Sequence, residues 1–71
     1  MNGYKNWNDW NVALWIDNDE DLYHDAYGKV TMLGASQATK EMMVYLKGKR
    51  TPDGARYTHK SLYGALSRLE V

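Results

Sequence analysis

The segment WNDWNVALWI, residues 7–16, contains all three tryptophans of a 71-residue chain that has no phenylalanine. On an α-helix, side chains turn by about 100° per residue, so Trp7, Trp10 and Leu14 lie on one side of the helix. Val12 and Ile16 lie nearly opposite, and Trp15 lies between the two sets. A surface helix of a small domain normally has one apolar stripe. This helix is therefore either enclosed on both sides or keeps apolar surface for a partner.

The size of the chain favours the second alternative for part of the helix. A domain of 71 residues buries only about 60% of the surface of its unfolded chain, so three indoles on different sides are hard to enclose. We expect Trp10 and Leu14 on the core side. Trp7 and Trp15 are the positions at which we expect exposed aromatic surface.

The periodicity predicts an all-α fold, a compact bundle or orthogonal array of about four short helices in a single helical domain, residues 1–71. The predicted helices cover about 7–16, 19–33, 36–47 and 58–70. Their predicted N-caps are Asn6 or Asn8, then Asn18, Ser36 and Thr58. The later helices carry these predicted core stripes: Leu22, Tyr23, Ala26, Tyr27, Val30 and Leu33; Ala38, Met42, Tyr45 and Leu46; Leu62, Ala65, Leu66 and Leu69.

The remaining loop, residues 48–57, contains a Pro-Asp-Gly turn and is rich in basic residues. Its flanks are too short and polar for a β-hairpin to be favoured. Charge is unevenly distributed along the chain as a whole. Residues 1–35 contain two lysines and six acids, whereas residues 36–71 contain seven basic residues and three acids. The two halves therefore predict an acidic and a basic patch, each able to steer a charged partner.

No set of residues predicts catalysis, a metal or a cofactor. Asp17, Asp19 and Asp21 have the spacing that opens a calcium loop, but Leu22 and Gly28 occupy the positions that require glycine and a bidentate acid. The chain has no cysteine, which excludes disulfides and thiolate ligands. We therefore predict a non-enzymatic protein without metal or cofactor.

Three kinds of interaction remain open. The leading hypothesis is a protein-binding surface formed by Trp7, Trp15, Asp17, Asp19, Glu20 and Asp21, because tryptophans dominate binding hot spots. The first alternative is nucleic-acid binding through the basic loop and its neighbours, Lys47, Lys49, Arg50, Arg56, Tyr57 and Lys60. The second is a homo-oligomer in which the tryptophan helix packs on its own copy. The sequence contains neither a signal-peptide pattern nor a membrane span, so we expect a cytoplasmic protein without a membrane partner.

The segment at residues 6–20, NWNDWNVALWIDNDE, resembles a small family found in bacteriophage and mobile-element proteins. The opening of that family reads roughly N-Y-E-T-W-x-V-x-L-W-I-x-N-D-E. Trp7, Asn8 and Asp9 stand here in place of its Tyr, Glu and Thr. The resemblance implies a phage-like accessory protein in a bacterial cytoplasm. It extends the leading hypothesis to a factor that binds a host protein and inhibits it by occlusion.

Overall fold

Four α-helices make up the fold in the computed structural model, which describes residues 3–70. They are α1 (Trp7–Asn18), α2 (Glu20–Leu33), α3 (Ala35–Leu46) and α4 (His59–Ser67). Within the described residues the only β-type pairing is an isolated antiparallel bridge between Arg50 and Arg56. The predicted all-α fold is confirmed, with extents of 28 × 25 × 20 Å. None of the helices is long and apolar enough to cross a membrane over the described range.

The first two helices are separated by a single residue. Of the two predicted caps of α1, Asn6 and Asn8, it is Asn6 that caps the helix, since its side chain accepts a hydrogen bond from Asp9 N at 2.9 Å. The prediction that Asn18 caps α2 is wrong. Asn18 is still part of α1, where its amide donates to Leu14 O at 2.7 Å. Asp19 is the cap instead, and its carboxylate accepts from Leu22 N at 3.0 Å.

Gly34 ends α2 with φ 82°, a conformation that glycine adopts without steric cost. The predicted cap of α3, Ser36, lies inside the helix, which begins one residue earlier than expected and has no side-chain cap of its own. Its first amide, Ala35 N, donates instead to the carboxylate of Glu70 at 2.9 Å. Thr58 caps α4 as predicted, in a reciprocal capping box with Ser61.

The core is built from the side of α1 opposite to the predicted one. Val12 and Ile16 are fully buried, whereas Trp10 and Leu14 are only partly buried. The expectation that Trp10 and Leu14 form the core side is therefore wrong. A domain with one core can accept only one stripe of α1, and the small branched side chains fill that place. α1 packs chiefly on α4, which supplies the fully buried Leu62, Ala65 and Leu66.

The core stripes of α2 and α3 are narrower than predicted. The stripe residues buried in these two helices are Ala26, Val30, Ala38, Met42 and Leu46. Tyr27, Leu33 and Tyr45 are exposed, because they lie at the edges of the stripes. Tyr45 contacts α2 from this edge through its hydroxyl, which donates to Asp25. Apolar surface therefore remains outside the core on α1, α2 and α3.

Candidate interaction surfaces

The loop of residues 48–57 is fastened to α1 by buried polar groups. Thr51 Oγ1 donates to Asn11 Oδ1 at 2.6 Å, and both residues are buried. Asn11 Nδ2 in turn donates to Asp53 Oδ2 at 2.9 Å, and Trp15 Nε1 donates to the same oxygen at 2.8 Å. We call this set of four residues the clasp. It explains why an asparagine lies within the apolar part of α1.

A second attachment joins the loop to the beginning of α1. The Asn8 side chain donates from Nδ2 to Arg56 O at 3.0 Å and accepts from Arg56 N at 2.8 Å. One side chain thus satisfies both backbone groups of Arg56, as a neighbouring strand would. Within the loop, Thr51 N donates to Ala55 O at 2.8 Å, and Ala55 N donates to Thr51 Oγ1 at 3.0 Å. The loop is therefore an ordered part of the fold.

Side chains along the loop alternate between the inside and the outside of the protein. Thr51, Ala55 and Tyr57 are buried, whereas Arg50 and Arg56 are exposed. This alternation is that of extended backbone. Burial raises the pKa of the Tyr57 phenol above its ordinary value, with a further contribution from the negative charge of Asp19. The hydrogen bonds from Asn11 and Trp15 hold the pKa of Asp53 below its ordinary value.

The outward-facing loop residues border a groove of about 280 Å³, which we call the basic groove. It is lined by Gly48, Lys49, Arg50, Arg56, Tyr57 and Thr58. Of the predicted nucleic-acid residues, the structure therefore brings four together: Lys49, Arg50, Arg56 and Tyr57. Lys47 is exposed just beyond the end of α3. Lys60 forms an ion pair with Asp9 at 2.6 Å and does not line the groove.

The side of α1 that faces away from the core carries Trp7, Trp10 and Leu14, and we call it the outer face. The Trp7 side chain is 44% exposed. Trp10 and Leu14 are partly buried and border a smaller cavity, of about 190 Å³, whose wall also includes Tyr4. This stripe is the apolar surface of α1 that the helix packing leaves uncovered.

The predicted partner-binding residues lie at both ends of α1 and at the start of α2. Asp17 is ion-paired with Arg68, and Asp19 is the N-cap of α2. Glu20 and Asp21 are exposed in the first turn of α2, where acids interact favourably with the helix dipole. Trp15 is partly buried, and its indole N–H is used in the clasp.

A groove of about 440 Å³ between α2 and α3 was not predicted. Met32, which lines it, is 84% exposed, and Val44 of α3 is 83% exposed. Burial alone would raise the pKa of Asp25 in its wall, but hydrogen bonds from Lys29 and Tyr45 outweigh this effect and lower it. Met32 and Val44 both lie off the core stripes of their helices. This position in the sequence was the signal from which their exposure could have been predicted.

The clasp was also missed, although Asn11 gave a signal for it. A polar residue on the apolar segment of a helix has to find a partner when it is buried. Its partners lie about forty residues away, which the local sequence does not reveal. In the described part of the chain, no group of three or more His, Cys, Asp or Glu residues is arranged to hold a metal ion.

Comparison with known proteins gives one match. The model of a family of unknown function, DUF7249, matches residues 1–67. No curated protein and no solved structure matches the chain.

Proposed function

The chain belongs to the family of unknown function DUF7249, and we propose that it is a small helical module that binds another protein through the outer face of α1. One observation carries this proposal: Trp7, Trp10 and Leu14 form an apolar stripe on the side of α1 opposite to the core, with Trp7 44% exposed. Because Trp7 is 44% exposed, a partner can bury a little under half of the about 150–250 Å² that a fully buried aromatic side chain contributes. Few residues of a natural interface supply as much binding energy.

The acids that follow α1 in the chain indicate the kind of partner that we propose. α1 is followed directly by the first turn of α2, with the exposed acids Glu20 and Asp21. Asp17, at the end of α1, is engaged by Arg68. The complementary partner is a protein with an apolar pocket bordered by basic side chains, since such charges steer association and fix its orientation.

The mode of action that we propose is occlusion of a functional surface on the partner. The absence of a complete catalytic set in the sequence supports this mode, and the resemblance of residues 6–20 to bacteriophage and mobile-element proteins supports a bacterial host protein as the partner. Of the predicted partner-binding residues, Trp15 can contact the partner only with the part of its ring that the clasp leaves accessible. Trp7 makes no hydrogen bond through its side chain within the described residues and is therefore the cleaner position to test.

We expect Trp7→Ala to weaken binding by ten-fold or more, corresponding to about 1.4 kcal/mol or more at a hot spot. Its free energy of unfolding should fall by about 1–3 kcal/mol, because more than half of Trp7 is buried in the free protein. Circular dichroism would establish that the variant is folded. The partner would be captured from a bacterial lysate, identified by mass spectrometry, purified and titrated by calorimetry. Met32→Ala is the matched control, since it removes another exposed apolar side chain from a different face.

Loss of binding with Trp7→Ala and retention with Met32→Ala would support the proposal. The reverse pattern would assign the interface to the groove between α2 and α3 and overturn the proposal. A photo-crosslinking amino acid at position 7 adds a direct readout, because it should crosslink the same partner in living cells. Crosslinking to a second copy of the chain instead would indicate the homo-oligomer, which light scattering would then measure.

A further inference from the structure

Two arginines face each other across the backbone of the loop. Arg50 and Arg56 form an antiparallel bridge. The flanking hydrogen bonds, Thr51 N to Ala55 O at 2.8 Å and Tyr57 N to Lys49 O at 3.3 Å, make this a non-hydrogen-bonded pair. Side chains of such pairs lie closest together, and like charges placed directly opposite are destabilising. The arrangement therefore works against the stability of the isolated fold.

No acid in residues 3–70 lies within ion-pair distance of these two guanidinium groups. The three ion pairs of this part of the chain use Lys29, Lys60 and Arg68. Arg50 donates one hydrogen bond to Gly54 O at 3.0 Å, and Lys49 lines the same groove. Three basic residues thus line one cavity of about 280 Å³ without a counter-charge among the described residues, an arrangement that an anion would stabilise.

The clasp and the Asn8 attachment hold the backbone of this loop in place before any ligand binds. Asn8 binds both backbone groups of Arg56, and Thr51, next to Arg50, is held by Asn11. A loop that is already ordered loses little conformational entropy on binding, which raises affinity. The basic groove is therefore a preorganised surface.

An aromatic pair begins beside the groove. Thr58 lines the groove, and the next residue, His59, stacks on Tyr63 with ring planes 10° apart and centroids 6.4 Å apart. Both residues are exposed on α4, Tyr63 to 43%. Proteins that bind single-stranded nucleic acids combine a positively charged groove with aromatic rings on which bases stack. An acidic peptide would match the cations but would leave this pair unused.

We propose that the basic groove binds the sugar–phosphate backbone of a single-stranded nucleic acid, with Lys49, Arg50 and Arg56 contacting phosphates and the His59–Tyr63 pair stacking on a base. This inference rests on other residues than the outer face of α1. It therefore stands or falls independently of the proposed protein partner.

The test is fluorescence anisotropy with a labelled single-stranded oligothymidylate of about 12 nucleotides. Three phosphate contacts predict a slope of about −2 for log K against log salt, so affinity should fall about 20-fold between 50 and 200 mM salt. Arg50→Gln with Arg56→Gln should reduce affinity at least ten-fold and bring the slope to about −0.7. Lys49→Gln is a second variant that removes one charge instead of two. It should leave the fold intact, since the Lys49 side chain forms no ion pair with a described residue.

The matched control is Lys5→Gln with Lys40→Gln, which removes the same charge from two exposed lysines outside the groove. It should change affinity by less than about two-fold, because only contacting cations release counterions. Circular dichroism would establish that each variant is folded. Equal losses in the groove variant and in this control would overturn the proposal.

The stacking step has its own pair of variants. Tyr63→Ala should weaken binding about five-fold or more, whereas Tyr27→Ala, which removes an exposed tyrosine from α2, should not. A polyglutamate peptide of equal length and inorganic phosphate alone are the other probes. Absence of oligonucleotide binding at 50 mM salt, or equal binding of the polyglutamate peptide, would overturn the proposal.

Discussion

Asn11→Ala is the substitution that most directly tests how the loop is held on α1. It removes the acceptor of the Thr51 hydroxyl at 2.6 Å and the donor to Asp53 at 2.9 Å. A typical hydrogen bond contributes about 1 kcal/mol, and the buried Thr51 hydroxyl also loses its acceptor. We therefore expect the free energy of unfolding to fall by about 2–3 kcal/mol, with a decrease in Tm of roughly 10–20 °C.

Urea unfolding followed by far-ultraviolet circular dichroism measures this change. The control is Asn18→Ala, in the same helix, where an exposed side chain donates to Leu14 O of its own helix. Its free energy of unfolding should change by no more than about 0.5 kcal/mol. Thr51→Val completes a double-mutant cycle, in which residues sharing a hydrogen bond should give a coupling energy of about 1 kcal/mol.

Two results would refute the reasoning. Equal small losses in Asn11→Ala and Asn18→Ala would mean that the buried network does not hold the loop. Additive effects of Asn11→Ala and Thr51→Val would mean that their hydrogen bond contributes nothing measurable. If the reasoning holds, Asn11→Ala should also weaken oligonucleotide binding, although every cation of the groove is still present.

Two further predictions concern pH and the core. The lowered pKa of Asp53 means that its hydrogen bonds from α1 stabilise the fold above about pH 3.8, and this stabilisation is lost as pH falls through the lowered value. The difference in Tm between the wild type and Asp53→Asn should thus be constant from neutral pH to about pH 5 and become smaller below pH 3.8, where the carboxylate is protonated. A difference that stays constant down to pH 2 would contradict this prediction. Leu62→Ala, at a fully buried position, should lower the free energy of unfolding measured in urea by about 2–5 kcal/mol. Val44→Ala, at an exposed position, should lower it by less than about 0.5 kcal/mol. Similar values for the two variants would place Leu62 outside the core.

Local signals explain which parts of the fold could be predicted from the sequence. α2, α3 and α4 have a 3.6-residue apolar period, and turn or capping residues separate the four segments, so the number and type of elements were predictable. The side-chain caps Asn6 and Thr58 were predictable from the neighbouring sequence, whereas for α2 two adjacent candidates, Asn18 and Asp19, could not be told apart. The start of α3 could not be predicted in this way, because its first amide donates to Glu70, thirty-five residues away.

The side of α1 that forms the core could not be decided from the pattern, because both sides are apolar. The choice depends on the shape of the neighbouring helices, which accept Val12 and Ile16. Likewise, the basic character of the loop was evident, but the burial of Tyr57 was not, since a polar loop predicts exposed side chains. Hydrogen bonds to residues of α1 about forty positions earlier hold the loop against the helix and turn its alternate side chains inward.

The alternation in the loop has an evolutionary consequence. Thr51, Ala55 and Tyr57 are buried and serve the fold, whereas Arg50 and Arg56, next to them in the chain, are exposed at the surface. Mutations at the outward positions can therefore change the charge of this surface while the inward positions preserve the folding of the chain. Related sequences should therefore vary more at the outward positions of this loop than at the inward ones, and the rate of change should differ sharply between adjacent codons.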